Sequence, residues 1–173
     1  MPHPVRTAMD GVIAMDDPTA QDVRALLAAH LAFANQHSPP EDVHALDLAG
    51  LREPTVTFYT YRAAGRLLTI GALRRLDDEH AEIKSMHTAS EARGQGIGRT
   101  MLAHLIAEAR ARGCRRLSLE TGTMAAFGPA RSLYAAAGFV PCQPFASYVT
   151  SPNSTCMTLA LREPPAIPPP DDA

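Results

Sequence analysis

The 173-residue sequence contains no tryptophan and only three cysteines, Cys114, Cys142 and Cys156. Their wide spacing matches no zinc motif, and their odd number does not suit a disulfide-rich secreted protein. No apolar run approaches the roughly 18 residues that a membrane-spanning helix needs, and the N-terminal segment MPHPVRTAMDG lacks the apolar core of a signal peptide. We therefore expect a cytoplasmic protein without a metal site, a membrane partner or a disulfide framework.

A strong charge of either sign is also missing, since the formal net charge is −2 at pH 7 and no segment is strongly basic. Proteins that hold nucleic acids by the phosphate backbone usually carry a basic patch, so a nucleic-acid partner is not expected. What the chain does contain, 46% hydrophobic and 20% charged residues, is typical of a globular domain. We expect one domain over residues 12–162, with a flexible arm at 1–11 and a disordered, proline-rich tail at 163–173.

Apolar periodicity and turn residues predict an alternation of strands and helices. The first strand should be followed by a helix that Asp17 caps. A second helix is predicted from a capping box of Ser38 and Glu41 to the vicinity of Gly50. Three strands, a helix, a strand, another helix and two final strands joined by the turn TSPNS should follow. This order indicates an α/β fold with a mixed sheet.

The segment GQGIG between Arg93 and Arg99 places three glycines at the start of a predicted helix. Its spacing is not the G-x-G-x-x-G of a dinucleotide-binding fold, and no Gly-Lys-Ser/Thr follows as in a Walker loop. A tight turn without a ligand is the structural alternative. However, the first amides of a helix are free at the positive end of its dipole, and two arginines flank the run. The pattern therefore favours a loop that binds a phosphate group.

A wider pattern supports this interpretation. Residues Arg93-Gly94-Gln95-Gly96-Ile97-Gly98 resemble the Q/R-x-x-G-x-G/A motif of the GNAT superfamily of N-acetyltransferases. The segment from Ala130 through Tyr134 to Gly138-Phe139 resembles a later element of that family. The stretches SPPE, EIKSM, LSLETG, GPARSLY and PNS together resemble a bacterial subgroup whose substrates are poorly defined. The resemblance implies an α/β fold with a mixed, mostly antiparallel central sheet of about seven strands and helices on both faces.

The resemblance also implies how an acyl donor binds. In the family, the loop amides hold the pyrophosphate of acetyl-coenzyme A (acetyl-CoA), which is therefore the expected co-substrate. The backbone of Met86, His87 and Thr88 should pair with the pantetheine arm as an added strand would. Phe127 stands where the family often has an asparagine, so one cofactor contact is missing or replaced. The remaining expected cofactor contacts are Arg93, Gly94, Gln95, Gly96, Ile97, Gly98 and Arg99.

Acetyl transfer needs a base, because a free alkyl amine is mostly protonated at pH 7, and benefits from an acid for the departing thiolate. By resemblance, Tyr134 is the acid that faces the thioester sulfur. Glu82 precedes Arg93 by the spacing of the catalytic glutamate in the histone acetyltransferase branch of the family. Glu120, at the end of the next strand, is the alternative base. Strand alternation places His87 on the opposite face from Glu82.

The sequence indicates the acceptor site less clearly than the donor site. In this fold the acceptor site is usually walled by the segment between the first two helices and by the loop between the last two strands. The polar candidates in these two segments are His37, His44, Tyr148 and Asn153, and Glu120 is a further candidate for binding the acceptor. Together these features predict an acetyl-CoA-dependent N-acetyltransferase of a small-molecule amine. There are two alternatives: a non-catalytic module that binds or senses acyl-CoA, and a protein that binds another diphosphate. The sequence leaves open whether the protein forms a homodimer.

Overall fold

The computed structural model describes residues 10–161, so most of the expected N-terminal arm and all of the expected C-terminal tail lie outside the described residues. The strands are β1 (Gly11–Met15), β2 (Val56–Ala63), β3 (Arg66–Arg75), β4 (His80–Thr88), β5 (Arg116–Gly122), β6 (Val140–Cys142) and β7 (Ser154–Ala160). The helices are α1 (Gln21–His37), α2 (Leu48–Leu51), α3 (Ile97–Ala111) and α4 (Gly128–Ala136). Short 3-10 turns lie at Pro40–Asp42, Ser90–Ala92 and Ala125–Phe127.

The strands of the described part form one 7-stranded sheet in the order β1-β2-β3-β4-β5-β7-β6. Neighbouring strands are antiparallel except β4 and β5, which run parallel and are connected through α3. The predicted element order and the mixed, mostly antiparallel sheet are therefore confirmed. No helix between residues 10 and 161 combines the length and the apolarity that crossing a membrane requires.

Helices cover both faces of this sheet, as expected. Adjacent residues of a strand point to opposite faces, and Phe58 and Tyr59 accordingly belong to different apolar clusters. Phe58 packs with Val23 of α1 and Leu51 of α2. Tyr59 belongs to the larger cluster, which includes buried side chains of α3 and α4. We refer to these two sides of the sheet as the α1/α2 face and the α3/α4 face.

The start of α1 differs from the prediction. The helix begins at Gln21, and the preceding Ala20 makes no capping hydrogen bond with its side chain. The Asp17 carboxylate instead accepts hydrogen bonds from the backbone amide and the hydroxyl of Thr19, both within 2.8 Å. Local bonds of this kind compete with capping. Asp17 therefore forms a turn before the helix rather than its cap.

The second helix keeps its predicted place in the order, but its predicted extent is wrong. Residues 40–42 form a single 3-10 turn, the chain then runs without regular structure to Asp47, and α2 has only 4 residues. Pro39 has φ −58° and ψ 149°, because a residue that precedes a proline is held out of the helical region, and Pro40 follows it. Asp47, rather than Ser38, caps the helix by accepting a hydrogen bond from the amide of Gly50.

The last two strands are unequal in length. A turn joins Ser151 and Ser154 within the predicted TSPNS segment, but β6 has only 3 residues. Prolines at 141 and 144 lack amide donors, which limits the pairing of this strand. Residues 143–153 form a long loop, in which Tyr148 lies beside Glu82 and Lys84 of β4.

Candidate active site

The glycine run forms the turn between β4 and α3. Gly94 and Gly96 adopt left-handed backbone conformations with φ of 73° and 79°, and Gly96 is the N-cap residue of α3. An added Cβ would meet no atom within 4 Å at either glycine. Glycine is therefore required for the backbone conformation, and the space next to the loop is open. The first amides of α3, from Ile97 to Arg99, have no partner within the helix.

Arg93 ties this loop to the end of β4. Its Nε donates a hydrogen bond to the carbonyl oxygen of Thr88 at 3.3 Å, and its Nη2 lies 3.4 Å from Nε2 of His87. The end of β4 and the N-terminus of α3 are thus held side by side. A cavity of about 410 Å³ lies along them and extends to α4. We call it the loop cleft, and its walls include Met86, His87, Thr88, Arg93, Gly94, Gly96, Ile97, Gly98 and Arg99.

A second cavity opens where β4 and β5 separate. These strands pair only from His80–Arg116 to Glu82–Ser118, and their later residues diverge. The space between them has a volume of about 150 Å³. Residues 83–86 of β4, residues 119–122 of β5, several side chains of α1 and residues 42–45 line it. We call this space the inner cavity.

Tyr134 lies where the two cavities meet. It is 7% exposed, and its hydroxyl makes no hydrogen bond to another residue of 10–161. Burial, with a smaller contribution from the carboxylate of Glu120, raises the pKa of Tyr134 to about 12. The phenol therefore stays protonated near neutral pH and has a free proton to donate. The side chains that line both cavities are Phe33, Met86, Phe127, Ala130 and Tyr134.

Glu120 places a carboxylate on the wall of the inner cavity. It accepts one hydrogen bond, from the hydroxyl of Ser154 at 2.7 Å. Burial raises the pKa of Glu120 above its ordinary value of 4.5, while the bond from Ser154 opposes that effect. A carboxylate with a raised pKa binds a proton more strongly than usual, which suits a general base.

Glu82 belongs to a buried network instead. It is 2% exposed, accepts a hydrogen bond from the hydroxyl of Tyr148 and lies 3.5 Å from Nζ of Lys84. Lys84 also donates to the Tyr148 hydroxyl at 2.8 Å and to the carbonyl oxygen of His44 at 2.9 Å. Burial, with the Glu82 carboxylate, raises the pKa of Tyr148. Lys84 and His44 line the inner cavity, whereas Glu82 is not among its described lining residues.

The position of His87 corrects the expectation from strand alternation. Ser85 has a φ of 53°, and the pairing of β4 with β3 shifts from Ala72–Lys84 to Ile70–His87. In this bulge, two residues of β4 lie opposite the single residue Gly71 of β3. The extra residue reverses the alternation, so His87 lies on the same face as Lys84 and Glu82. The Nδ1 atoms of His87 and His30 lie 3.2 Å apart. Burial lowers the pKa of each imidazole to about 4, so both are neutral near pH 7.

Two further expected residues lie around the inner cavity. The side-chain amide of Asn153 donates to the carboxylate of Asp42 at 3.3 Å and so ties the end of the 143–153 loop to the segment after α1. Asn153 itself is not among the described lining residues. Phe127 does line both cavities and packs edge-on against Phe33, with ring centroids 5.3 Å apart.

The structure brings together residues that the sequence did not single out. Asp42 and Ser85 line the inner cavity, and His30 does so from α1. Lys84 also lines the inner cavity, although the sequence assigns it no role in the site. No sequence signal marks Ser85, because its placement depends on a bulge opposite Gly71 that alternation does not reveal.

The family model described as the Acetyltransferase (GNAT) family matches residues 21–139. The uncharacterized N-acetyltransferase YsnE of Bacillus subtilis (strain 168) is 47% identical over 149 residues, which are 86% of this chain and 99% of that protein. The uncharacterized N-acetyltransferase YedL of Escherichia coli (strain K12) is 46% identical over 151 residues, 87% of this chain and 95% of that protein.

A solved structure extends the likeness to the fold. A GNAT family acetyltransferase from Elizabethkingia anophelis, crystallised with acetyl-CoA bound, superposes with a TM-score of 0.66. The match covers 88% of this chain and 99% of that chain at 18% identity. At this identity the likeness concerns the fold alone.

Proposed function

The chain belongs to the acetyltransferase (GNAT) family and is an N-acetyltransferase, and on that premise we propose that it transfers the acetyl group of acetyl-CoA directly to the amine of a small molecule. One observation carries the proposal. The loop cleft, beside the glycine run, and the inner cavity, with the half-buried carboxylate of Glu120, meet at Tyr134. The hydroxyl of Tyr134 has no hydrogen-bond partner among the described residues.

The loop cleft suits acetyl-CoA. The open space at Gly94 and Gly96 lets a pyrophosphate approach the first amides of α3, where the helix dipole favours an anion. Arg93 and Arg99 add positive charge there. The backbone of residues 86–88 borders the same cleft and offers the edge along which a pantetheine arm would lie. The acetyl-CoA held by the Elizabethkingia protein, which shares this fold, supports the assignment.

The inner cavity suits the acceptor amine. We assign the base to Glu120, because its carboxylate lines the cavity and has a raised pKa, whereas Glu82 is engaged by Tyr148 and Lys84. Glu120 accepts a proton from the ammonium form of the acceptor, and the neutral nitrogen then attacks the acetyl carbon.

Tyr134 donates its proton to the sulfur as the carbon–sulfur bond breaks and the carbon–nitrogen bond forms. Of the two protons that the nitrogen loses, one leaves to solvent through Glu120 and the other restores the Tyr134 phenol. No residue other than these two is required to change its charge. A non-catalytic acyl-CoA-binding module of the same fold would need neither the carboxylate in the inner cavity nor the free phenol.

The test combines binding with turnover. Thermal shift with acetyl-CoA, ATP and NAD should show stabilisation by acetyl-CoA alone, because only a bound ligand raises the melting temperature. Thiol release should then be followed with acetyl-CoA and a broad panel of small amines. Release that depends on an amine supports the proposal. Stabilisation by acetyl-CoA without release for any amine would favour the non-catalytic alternative.

A further inference from the structure

Ser85 stands out among the residues of the inner cavity. It is 7% exposed, and its Oγ is buried with no hydrogen-bond partner. Among the described residues that line this cavity, no other has such an atom. Buried polar groups are nearly always paired in folded proteins, so an unpaired hydroxyl on a cavity wall indicates a missing partner.

The backbone explains how the hydroxyl reaches the cavity. Ser85 and Met86 lie together opposite Gly71 in the bulge of β4, and Ser85 has the left-handed φ of 53°. This conformation is uncommon for residues other than glycine and tends to persist where function requires it. Ser85 lines the inner cavity only, whereas Met86 lines both cavities. The missing partner therefore belongs to the acceptor rather than to the acyl donor.

The charges around the inner cavity restrict the acceptor further. Two carboxylates, those of Asp42 and Glu120, belong to lining residues. Lys84 is the one lysine or arginine among the described lining residues, and its ammonium group already lies within 3.5 Å of three protein oxygens. A carboxylate on the acceptor would find no free cation here. A second ammonium group at Ser85 would be buried against a neutral partner, which is unfavourable.

We propose that the acceptor is a compact amino alcohol, whose amine lies at Glu120 and whose hydroxyl group is bound by Oγ of Ser85. The inference rests on the proposed acetyl transfer and names its substrate class. A hydroxyl both donates and accepts, so it can pair with the serine without placing a further charge in the cavity. A volume of about 150 Å³ limits the buried part of the acceptor to roughly the size of benzene.

The experiment compares acceptors that differ at one end. Thiol release from acetyl-CoA should be measured with 3-amino-1-propanol, butylamine, 1,3-diaminopropane and β-alanine. For the wild type, kcat/KM should be about tenfold or more higher for the amino alcohol than for each of the others, because a site built for a hydroxyl rejects analogues that lack it.

Substitution of Ser85 should remove this preference. In Ser85→Ala and Ser85→Gly, kcat/KM for 3-amino-1-propanol should fall to the value for butylamine, which itself should change by no more than about twofold. The glycine variant tolerates the left-handed backbone, so it keeps the test valid where the alanine variant folds poorly. Ser132→Ala, at an exposed position of α4, is the matched control and should keep the wild-type preference.

Other results would overturn the inference. Equal use of butylamine, or a preference for the diamine or β-alanine, contradicts the assigned class. An equal loss for all acceptors in both Ser85 variants would mean that the hydroxyl serves the acyl group or the fold. Turnover confined to amines without a hydroxyl also overturns it, while the proposed function survives. Absence of turnover with every amine overturns the proposed function and this inference with it.

Discussion

The loop cleft and the inner cavity are built in opposite ways. Most of the residues that line the loop cleft come from one continuous stretch, residues 86–99, which includes the backbone amides at the start of α3. The inner cavity draws side chains from α1, residues 42–45, β4, β5 and α4. A site of backbone groups follows from local sequence, whereas a site of distant side chains follows only from the folded chain.

The two cavities also differ in charge. Arg93, Arg99 and the positive end of the α3 dipole border the loop cleft, which therefore suits an anion. Asp42 and Glu120 border the inner cavity, which suits a cation. An anionic donor and a cationic acceptor would thus approach from different sides and meet at Tyr134. Each substitution below tests whether the two sides can be perturbed separately.

Tyr134→Phe should have the largest effect, because it removes the proposed proton donor at the point where both cavities meet. We expect kcat to fall about 100-fold or more, a loss typical of a removed general acid. Affinity for acetyl-CoA should change little, since the ring that lines the loop cleft is retained. Steady-state kinetics and calorimetric titration with acetyl-CoA measure the two quantities. Wild-type turnover in this variant would show that the phenol is not the acid.

The base assignment predicts the next largest effect. Glu120→Gln should lower kcat/KM for the acceptor about 100-fold at pH 7. In the wild type, Glu120 must be ionised to accept a proton, so kcat/KM should fall as the pH drops through its raised pKa, which lies above 4.5. That acidic limb should be missing in Glu120→Gln.

Glu82→Gln is the matched comparison for this assignment. It changes the other carboxylate but leaves the wall of the inner cavity intact, so the acidic limb should be retained. The variant should be less stable, because it weakens the ionic contact with Lys84 and the hydrogen bond from Tyr148. An acidic limb that disappears in Glu82→Gln and persists in Glu120→Gln would reverse the assignment.

The same contrast explains how far the sequence predicts the molecule. The order of elements and the glycine turn before α3 follow from patterns within short segments, and the family resemblance singles out Tyr134. The predicted start of the second helix is wrong because Pro40 holds Pro39 in an extended conformation, which the capping-box pattern does not reveal. The bulge at Ser85 could not be predicted, because it arises from the pairing of β4 with β3.

Gly96→Ala tests the loop cleft with a smaller effect. An alanine at a φ of 79° is strained by about 1–2 kcal/mol and shifts the first amides of α3. We expect KM for acetyl-CoA to rise about tenfold and KM for the amine to stay unchanged. Gly65→Ala is the control, since Gly65 has a φ of 75° in the β2–β3 turn and equally open surroundings. It should lower stability to a similar extent without changing either KM, and a similar rise in the acetyl-CoA KM would contradict the role of the loop.

Tyr148→Phe should have the smallest effect and tests the inner cavity alone. The variant loses the hydrogen bonds of the Tyr148 hydroxyl with Glu82 and Lys84, so the free energy of unfolding in urea should fall by about 1–3 kcal/mol. The loop at 143–153 then loses an anchor beside Lys84, a lining residue, and KM for the amine should rise a few-fold.

Tyr59→Phe provides the control for this last comparison. The Tyr59 hydroxyl forms hydrogen bonds with Glu108 and Arg112 on the α3/α4 face. None of these three residues is among the described lining residues of either cavity. The two variants make the same chemical change and remove hydrogen bonds to charged partners, so both should be less stable. Only Tyr148→Phe should change KM for the amine, because only Tyr148 holds a segment beside the inner cavity. A rise in the KM for acetyl-CoA instead would mean that the loop at 143–153 supports the donor side, and the division between the two cavities would fail.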